Sequence, residues 1–275
     1  MGVLITCLLV PMLCLGGAAE GVTFPAGAVD TPVTLNGKRV LEGETARING
    51  VTYVPLRNFC NLFADCRITW DGRTNTATVK TDTLTLIATT GNLYITANGR
   101  YLYTVEPILN LNGRLYVPVR PMALAFVTSV KWDAANGVAA LTRSGSSVIS
   151  RAKYSDEDVY WLSRIISAEA QGEPFLGKMA VGNVVLNRVA SRDYPNTVRG
   201  VIFDRRYGVQ FTPTVNGMIY RTPTAESEIA AKICLEGYTL SDEILFFFNP
   251  RIATSSWISK TRPYAFTIGN HRFYR

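Results

Sequence analysis

Glu169 is the residue whose type and position most invite chemistry. It follows Ile166 by three residues, Ile165 by four and Leu162 by seven, so on a helix it shares the face of the apolar stripe. A carboxyl group there loses water and sits at the negative end of the helix dipole, and both effects disfavour its charge. A carboxyl held protonated near neutral pH can act as a general acid on a poor leaving group. A lone Glu can equally be a cap or an ion-pair partner, so the rest of the chain has to decide.

Other chemistries lack their parts. The chain has one histidine, His271, whereas a zinc amidase takes three protein ligands that normally include imidazole. A cysteine peptidase needs a thiolate beside a base, and Cys234, between Ile233 and Leu235, reads as a buried small hydrophobe. Cys60 and Cys66 are close enough to pair in an oxidising exterior, although their spacing does not require it. Glycoside cleavage needs only carboxylates. Glu173 is the nearest second one, but between Gly172 and Pro174 it reads as serving the next helix. Asp193, Asp204 and Glu226 carry no motif. His271, close to Phe273 and Tyr274, reads as structural rather than as a second proton carrier. The S-x-x-K at Ser150–Lys153 stands alone and is taken as chance. No metal and no cofactor are expected.

The elements that must position Glu169 are legible. Ser155 and Asp158 form an N-cap signature, and Gly172 and Pro174 end the helix beyond Glu169. A second helix, about Leu176 to Val189, is apolar nearly all round and therefore central. Asn183 and Asn187 lie on one side of it, either to satisfy buried backbone or to line a cleft. The segment YPNTVRGVIFDRRYGVQFTPTVNGMIY is long for a connection and offers aromatic faces with amides, which suits a cleft wall. A third helix is predicted with Thr222 as cap, Pro223 at its first position and Gly237 at its end. Short strands are predicted at Ile244–Phe248, Trp257–Ile258 and Phe266–Ile268.

These residues carry a resemblance. SAEAQGEP, GKMAVGNVVLNRV, YPNTVRGVIF, QFTP, NGMIY, FFNP and IGNHRFY run in order through nearly all of Tyr154–Arg275. The segment resembles the SleB-type cell-wall hydrolases, the spore cortex-lytic family. The resemblance implies cleavage of the peptidoglycan glycan strand, with Glu169 as the catalytic acid. One strong Glu without a clear partner fits a lytic transglycosylase better than a two-carboxylate muramidase, and the family points the same way. The substrate-binding set expected from these segments is Asn187, Gln210, Phe211, Tyr220 and Asn249. A wall-binding protein with a vestigial catalytic domain is the competing reading, against which the intact SAEAQGEP segment speaks.

The first half contains a repeat. Asn49–Val79 and Asn112–Leu141 align on Asn-Gly, on Tyr-Val-Pro-Leu/Val-Arg and on Trp-Asp, offset by 62 to 63 residues. Each unit reads as strand, Asn-Gly hairpin, strand, short helix and a strand ending at Trp-Asp. This half resembles the copper amine oxidase N-terminal-like domain, but it holds no His for copper and is read as a spacer or wall-attachment module. Its aromatics Tyr53, Phe59, Phe63, Trp70, Tyr116, Phe126 and Trp132 are expected in the core. Tyr94, Tyr101 and Tyr103 are the better surface candidates.

The formal net charge of +7 suits an anionic polymer such as a bacterial wall. Lys and Arg form no dense run and no nucleic-acid motif appears, so nucleic acid is not expected. Residues 1–19 read as a signal peptide with an apolar core at Val3–Leu15, although no Lys or Arg precedes it. That run is short for a spanning helix, so no stable membrane anchor is expected. The expected protein is secreted to cell wall or spore cortex and is α+β. A β-rich two-repeat domain (29–142) and a linker (143–153) precede a lysozyme-like α+β catalytic domain (154–275), and the partners are peptidoglycan and anionic wall polymers.

Overall fold

The computed structural model describes residues 22–253 and 255–275, so the predicted signal peptide lies outside the described residues. The chain is α+β. Strands dominate before residue 142, helices after 156.

The duplication fixes the N-terminal unit. Strand Ala46–Ile48 turns at Asn49-Gly50 into Val51–Pro55, which hands over at Pro55 to helix α1 (Leu56–Asn61) and then to strand Arg67–Asp71. The second copy runs Leu109–Leu111, Asn112-Gly113, Arg114–Pro118, helix α2 (Val119–Ala125) and Ser129–Asp133. In both hairpins Asn and Gly take positive φ (50° and 80°, then 51° and 77°), as a tight two-residue turn requires. The two Pro-ended strands pair antiparallel at the middle of a five-stranded sheet. Val54 lies opposite Val117, its own repeat equivalent, and the flanking pairs Tyr116–Pro55 and Pro118–Tyr53 exchange under the same relation. A local twofold axis therefore passes between Val54 and Val117.

A five-stranded antiparallel meander (67–103) and a four-stranded sheet with one parallel pair complete this unit. Phe59, Phe126, Leu86 and Ile95 are fully buried between them, each fully buried side chain contributing roughly 1.5–3 kcal/mol. Tyr53 and Tyr116 are buried as predicted, but Trp70 and Trp132 are 48% and 41% exposed. They share a strand face with Ile68 and Val130, which pack on the core, but stand near the strand ends, where the core no longer covers the indole.

The C-terminal unit is built on helices α3 (Asp156–Ala170), α4 (Phe175–Ala190) and α7 (Ala225–Leu235), with α5 (Val198–Ile202) and α6 (Pro213–Asn216) before α7 and α8 (Trp257–Thr261) after it. Ser155 caps α3 by accepting a hydrogen bond from the Asp158 amide at 3.1 Å. Gly182 lets α3, α4 and α7 close together. A Cβ there would stand 2.9 Å from Cys234 Sγ and 3.0 Å from Ile166 Cδ1. The last sheet orders Phe246–Phe248, His271–Tyr274, Tyr264–Ile268.

Three further expectations need correction. The cap of α7 is Thr224, whose hydroxyl accepts from Ser227 N at 3.2 Å, and Pro223 precedes it. Trp257–Thr261 is a short helix, not a strand. Tyr94, Tyr101 and Tyr103 are not free surface, because they pack against the C-terminal core. There Tyr103 meets Tyr238 with ring centres 4.3 Å apart, and Arg100 holds Glu236 through Nε (2.7 Å) and Nη2 (2.6 Å).

Candidate active site

Glu169 stands in the last turn of α3, one residue before its end. Leu162, Ile165 and Ile166 on the same side are fully buried. Burial pushes the Glu169 carboxyl up from an ordinary 4.5 to about 7. Among the described residues no side-chain or backbone donor hydrogen-bonds it, and no cation pairs with it. Desolvation therefore acts unopposed. The carboxyl keeps its proton through the range where an ordinary carboxylate is charged, and loses it around neutrality.

The neighbouring carboxylates are committed elsewhere. Glu173, buried, accepts from Asn270 N at 2.9 Å and from Asn270 Nδ2 at 3.1 Å. Burial works against its charge, but these bonds, with His271 and Lys178 nearby, outweigh it and hold the carboxyl below its usual range. The GEP and IGNH segments thus meet as one clamp. Gly269 belongs to it, with φ +57° and a position where a Cβ would run into the Glu173 carboxylate. Asp204 is bound by Arg206 Nε at 3.0 Å and Nη2 at 2.9 Å, and those bonds keep its pKa low. Glu226 pairs with buried Lys178 at 3.1 Å. Asp193 is exposed and accepts only through its backbone carbonyl, from Arg206.

The expected substrate-binding residues divide. Tyr220 is 61% exposed, with its ring edge-on to Trp161 at 6.3 Å. Trp161 precedes Glu169 by eight residues, ~12 Å along the helix. Asn249 shapes the turn after Phe248 by accepting from Arg251 N at 2.9 Å. Gln210 accepts from Arg188 Nη1 at 3.3 Å and is half-buried. Phe211 is only 3% exposed and belongs to the core. Asn187 spends its amide on the carbonyls of Ser241 and Ile244, each at 2.9 Å. Asn183 donates from Nδ2 to Tyr238 O and accepts at Oδ1 from Leu240 N, both at 2.9 Å. The two amides tie the segment after α7 to α4, and their hydrogen bonds are spent on backbone.

Sequence reading missed Arg188. It is buried, donates from Nε to Leu245 O at 2.8 Å and lies over the rings of Tyr194, Phe211 and Phe246. An arginine near a helix end reads as solvated, and only the aromatics around it in space reveal otherwise. His271 is 6% exposed, with its ring 5.1 Å from that of Phe247. Burial lowers its pKa, which favours the neutral form. Among the described residues Cys60, Cys66 and Cys234 are free thiols; Cys60 and Cys234 are buried, and burial raises the Cys234 thiol to about 12. Among the described residues no group of three His, Cys, Asp or Glu converges on a metal position, and no helix is long and apolar enough to cross a membrane.

Comparison with known proteins bears on both halves. Residues 172–274 match the family described as Cell Wall Hydrolase, a match that starts just after Glu169. Residues 34–141 and 98–156 match the Copper amine oxidase N-terminal domain. The chain is 42% identical over 120 residues to a spore cortex-lytic enzyme of Bacillus cereus, covering 44% of this chain and 45% of that one. It therefore spans a little under half the length of that relative. It is 36% identical over 99 residues to the cell wall hydrolase CwlJ of Halalkalibacterium halodurans, covering 34% of this chain and 68% of that one. The solved catalytic domain of the germination-specific lytic transglycosylase SleB from Bacillus anthracis is 42% identical, with 44% of this chain and 97% of that one covered and a TM-score of 0.41.

Proposed function

We propose that this chain, which belongs to the cell wall hydrolase family, cleaves the glycan strand of peptidoglycan between MurNAc and GlcNAc with Glu169 as its acid. The observation that carries the reading is the carboxyl on the apolar face at the end of α3, largely withdrawn from water and without a hydrogen-bond or ion-pair partner among the described residues. Glu169 gives its proton to the glycosidic oxygen as the bond from C1 of MurNAc to that oxygen breaks. The MurNAc acetamido group stabilises the positive charge developing at C1. The C6 hydroxyl oxygen then bonds to C1, and its proton passes to the Glu169 carboxylate. The acid is regenerated, a 1,6-anhydro ring is formed, and no water enters the balance.

Three of the four other candidate carboxylates are tied into hydrogen bonds or ion pairs, which supports this single-acid route over a two-carboxylate hydrolase. Tyr220, Gln210 and Asn249 remain the proposed sugar contacts, while Phe211 and Asn187 serve the scaffold. Residues 154–275 form the catalytic domain in this reading, and residues 29–142 are a wall-attachment module joined to it through 143–153. The protein acts outside the cell, on wall or cortex.

Purified peptidoglycan, with and without muramic lactam, is digested by residues 20–275 and by Glu169→Gln, and the fragments are read by mass spectrometry. Anhydro-muramyl ends made by the parent alone are expected. Reducing ends would replace the lytic route by hydrolysis, and the absence of any product with intact wall binding would mean a vestigial domain.

A further inference from the structure

The N-terminal unit carries two grooves that are copies of one another and differ in charge. One, about 350 Å³, is walled by Pro55, Leu56, Arg57 and Trp70, and across the twofold by Gly113 and Arg114. The other, about 680 Å³, is walled by the equivalents Pro118, Val119, Arg120 and Trp132, with Gly50 and Val51 across the twofold. Each sets an exposed arginine beside a half-open indole.

The copies diverge at their polar positions. The Trp70 groove contains Glu44, which accepts from Asn58 Nδ2 at 2.6 Å and stands 4.0 Å from Arg114. Glu44 corresponds to Pro107 in the second repeat, and Asn58 to Pro121. The Trp132 groove has Arg47 where its twin has Asn110, and it adds Lys131 where the first repeat has Thr69. Among the described residues no Asp or Glu lines it. The Arg47 guanidinium carbon lies 4.8 Å from the Trp132 ring centre.

We propose that the groove around Trp132 binds the carboxylate-bearing glycan of peptidoglycan. The C–H face of a pyranose rests on the open indole, and the acidic substituents meet Arg47, Arg120 and Lys131. An indole supplies a flat apolar surface, and a guanidinium fork matches a carboxylate in two hydrogen bonds. The twin groove, with its own carboxylate, lacks the charge for this ligand. Tyr238 of the C-terminal unit lines the Trp132 groove as well, so a strand held there is presented to the catalytic unit of the same molecule. The identity of the polymer rests on the proposed function; the charge and shape of the groove do not.

The test is co-sedimentation of the full chain with sacculi stripped of teichoic acid, using Glu169→Gln as the parent so that the wall stays intact. Trp132→Ala and Arg120→Met, each added to it, are expected to weaken binding about ten-fold, and Trp132→Phe to recover most of it. Trp70→Ala is the matched control and is expected to change binding less than about two-fold. Melting temperatures are followed for every variant, and Arg120→Met carries the test if Trp132→Ala melts early. Unchanged binding by both Trp132→Ala and Arg120→Met overturns the proposal. So does an equal loss from Trp70→Ala, or binding that disappears with the teichoic acid. Cleavage of soluble glycan chains by the chain with Glu169 intact is scored separately. Cleavage with Trp132-independent wall binding removes the groove alone, and Trp132-dependent binding without cleavage removes the catalytic reading alone.

Discussion

The two halves of the molecule differ most in what they bury. The polar side chains buried in the N-terminal unit are all threonines, Thr31, Thr45, Thr52, Thr104 and Thr128. Those buried in the C-terminal unit include Glu173, Lys178, Asn183, Arg188, Asp204 and His271. Buried charge costs several kcal/mol unless it is paired and hydrogen-bonded, so a unit that keeps so many needs a reason. In the C-terminal unit most of these groups tie loops to the helices or to one another, whereas Glu169 has no such partner among the described residues. The N-terminal unit, with an apolar interior set by a duplication, places its charge in surface grooves. One half is organised to hold a proton, the other to present a surface.

Substitutions can break this contrast, and the largest effect belongs to the acid. Glu169→Gln should lower turnover on peptidoglycan by about a thousand-fold, the scale of a general acid's contribution, measured as the rate of new chain ends. The same assay on Trp132→Ala with soluble short glycans should show little change, which keeps the two roles apart.

Bracing comes next. Arg188→Met leaves Leu245 O and Gln210 without their donor and should cost about 2–3 kcal/mol in urea unfolding. Gly182→Ala, with Cys234 Sγ and Ile166 Cδ1 in the way, should cost about 1–3 kcal/mol. In the N-terminal unit Val54→Ala and Val117→Ala should each cost about 2 kcal/mol and match one another, because both sit on the twofold. A large inequality would break the symmetry argument.

The smallest effect sharpens the electrostatics. The native Glu169 carboxyl has a pKa above its unfolded value, so its contribution to stability is complete below about 4.5 and is lost as the pH rises through about 7. Glu169→Gln, which cannot ionise, should therefore unfold at a higher urea concentration than the parent at pH 8. The gap should close at pH 4.

The sequence made the repeat, its Asn-Gly turns and the strand-to-helix switches at Pro55 and Pro118 legible, because each has a local physical cause. Glu169 was legible for the same reason: helical spacing places it on the apolar face. What escaped depended on distant partners. Arg188 is buried by Phe246, far along the chain, and Asn187 is spent on Ser241 and Ile244. Tyr103 is covered by Tyr238. Trp70 and Trp132 looked like core by residue type, and only their place near the strand ends, beyond core-packed Ile68 and Val130, leaves them half open. Thr222 and Thr224 offered the same capping hydroxyl two residues apart, and the choice fell to the one that reaches Ser227 N.

The central claim is that Glu169 enters the reaction already protonated. The most direct measurement is the pH dependence of kcat/KM on peptidoglycan fragments, from pH 4 to 9. The account predicts a rate that is flat below neutrality and falls about ten-fold per pH unit above about 7, the pKa that burial gives this carboxyl. A fall beginning near 4.5, where an ordinary carboxyl ionises, would contradict it.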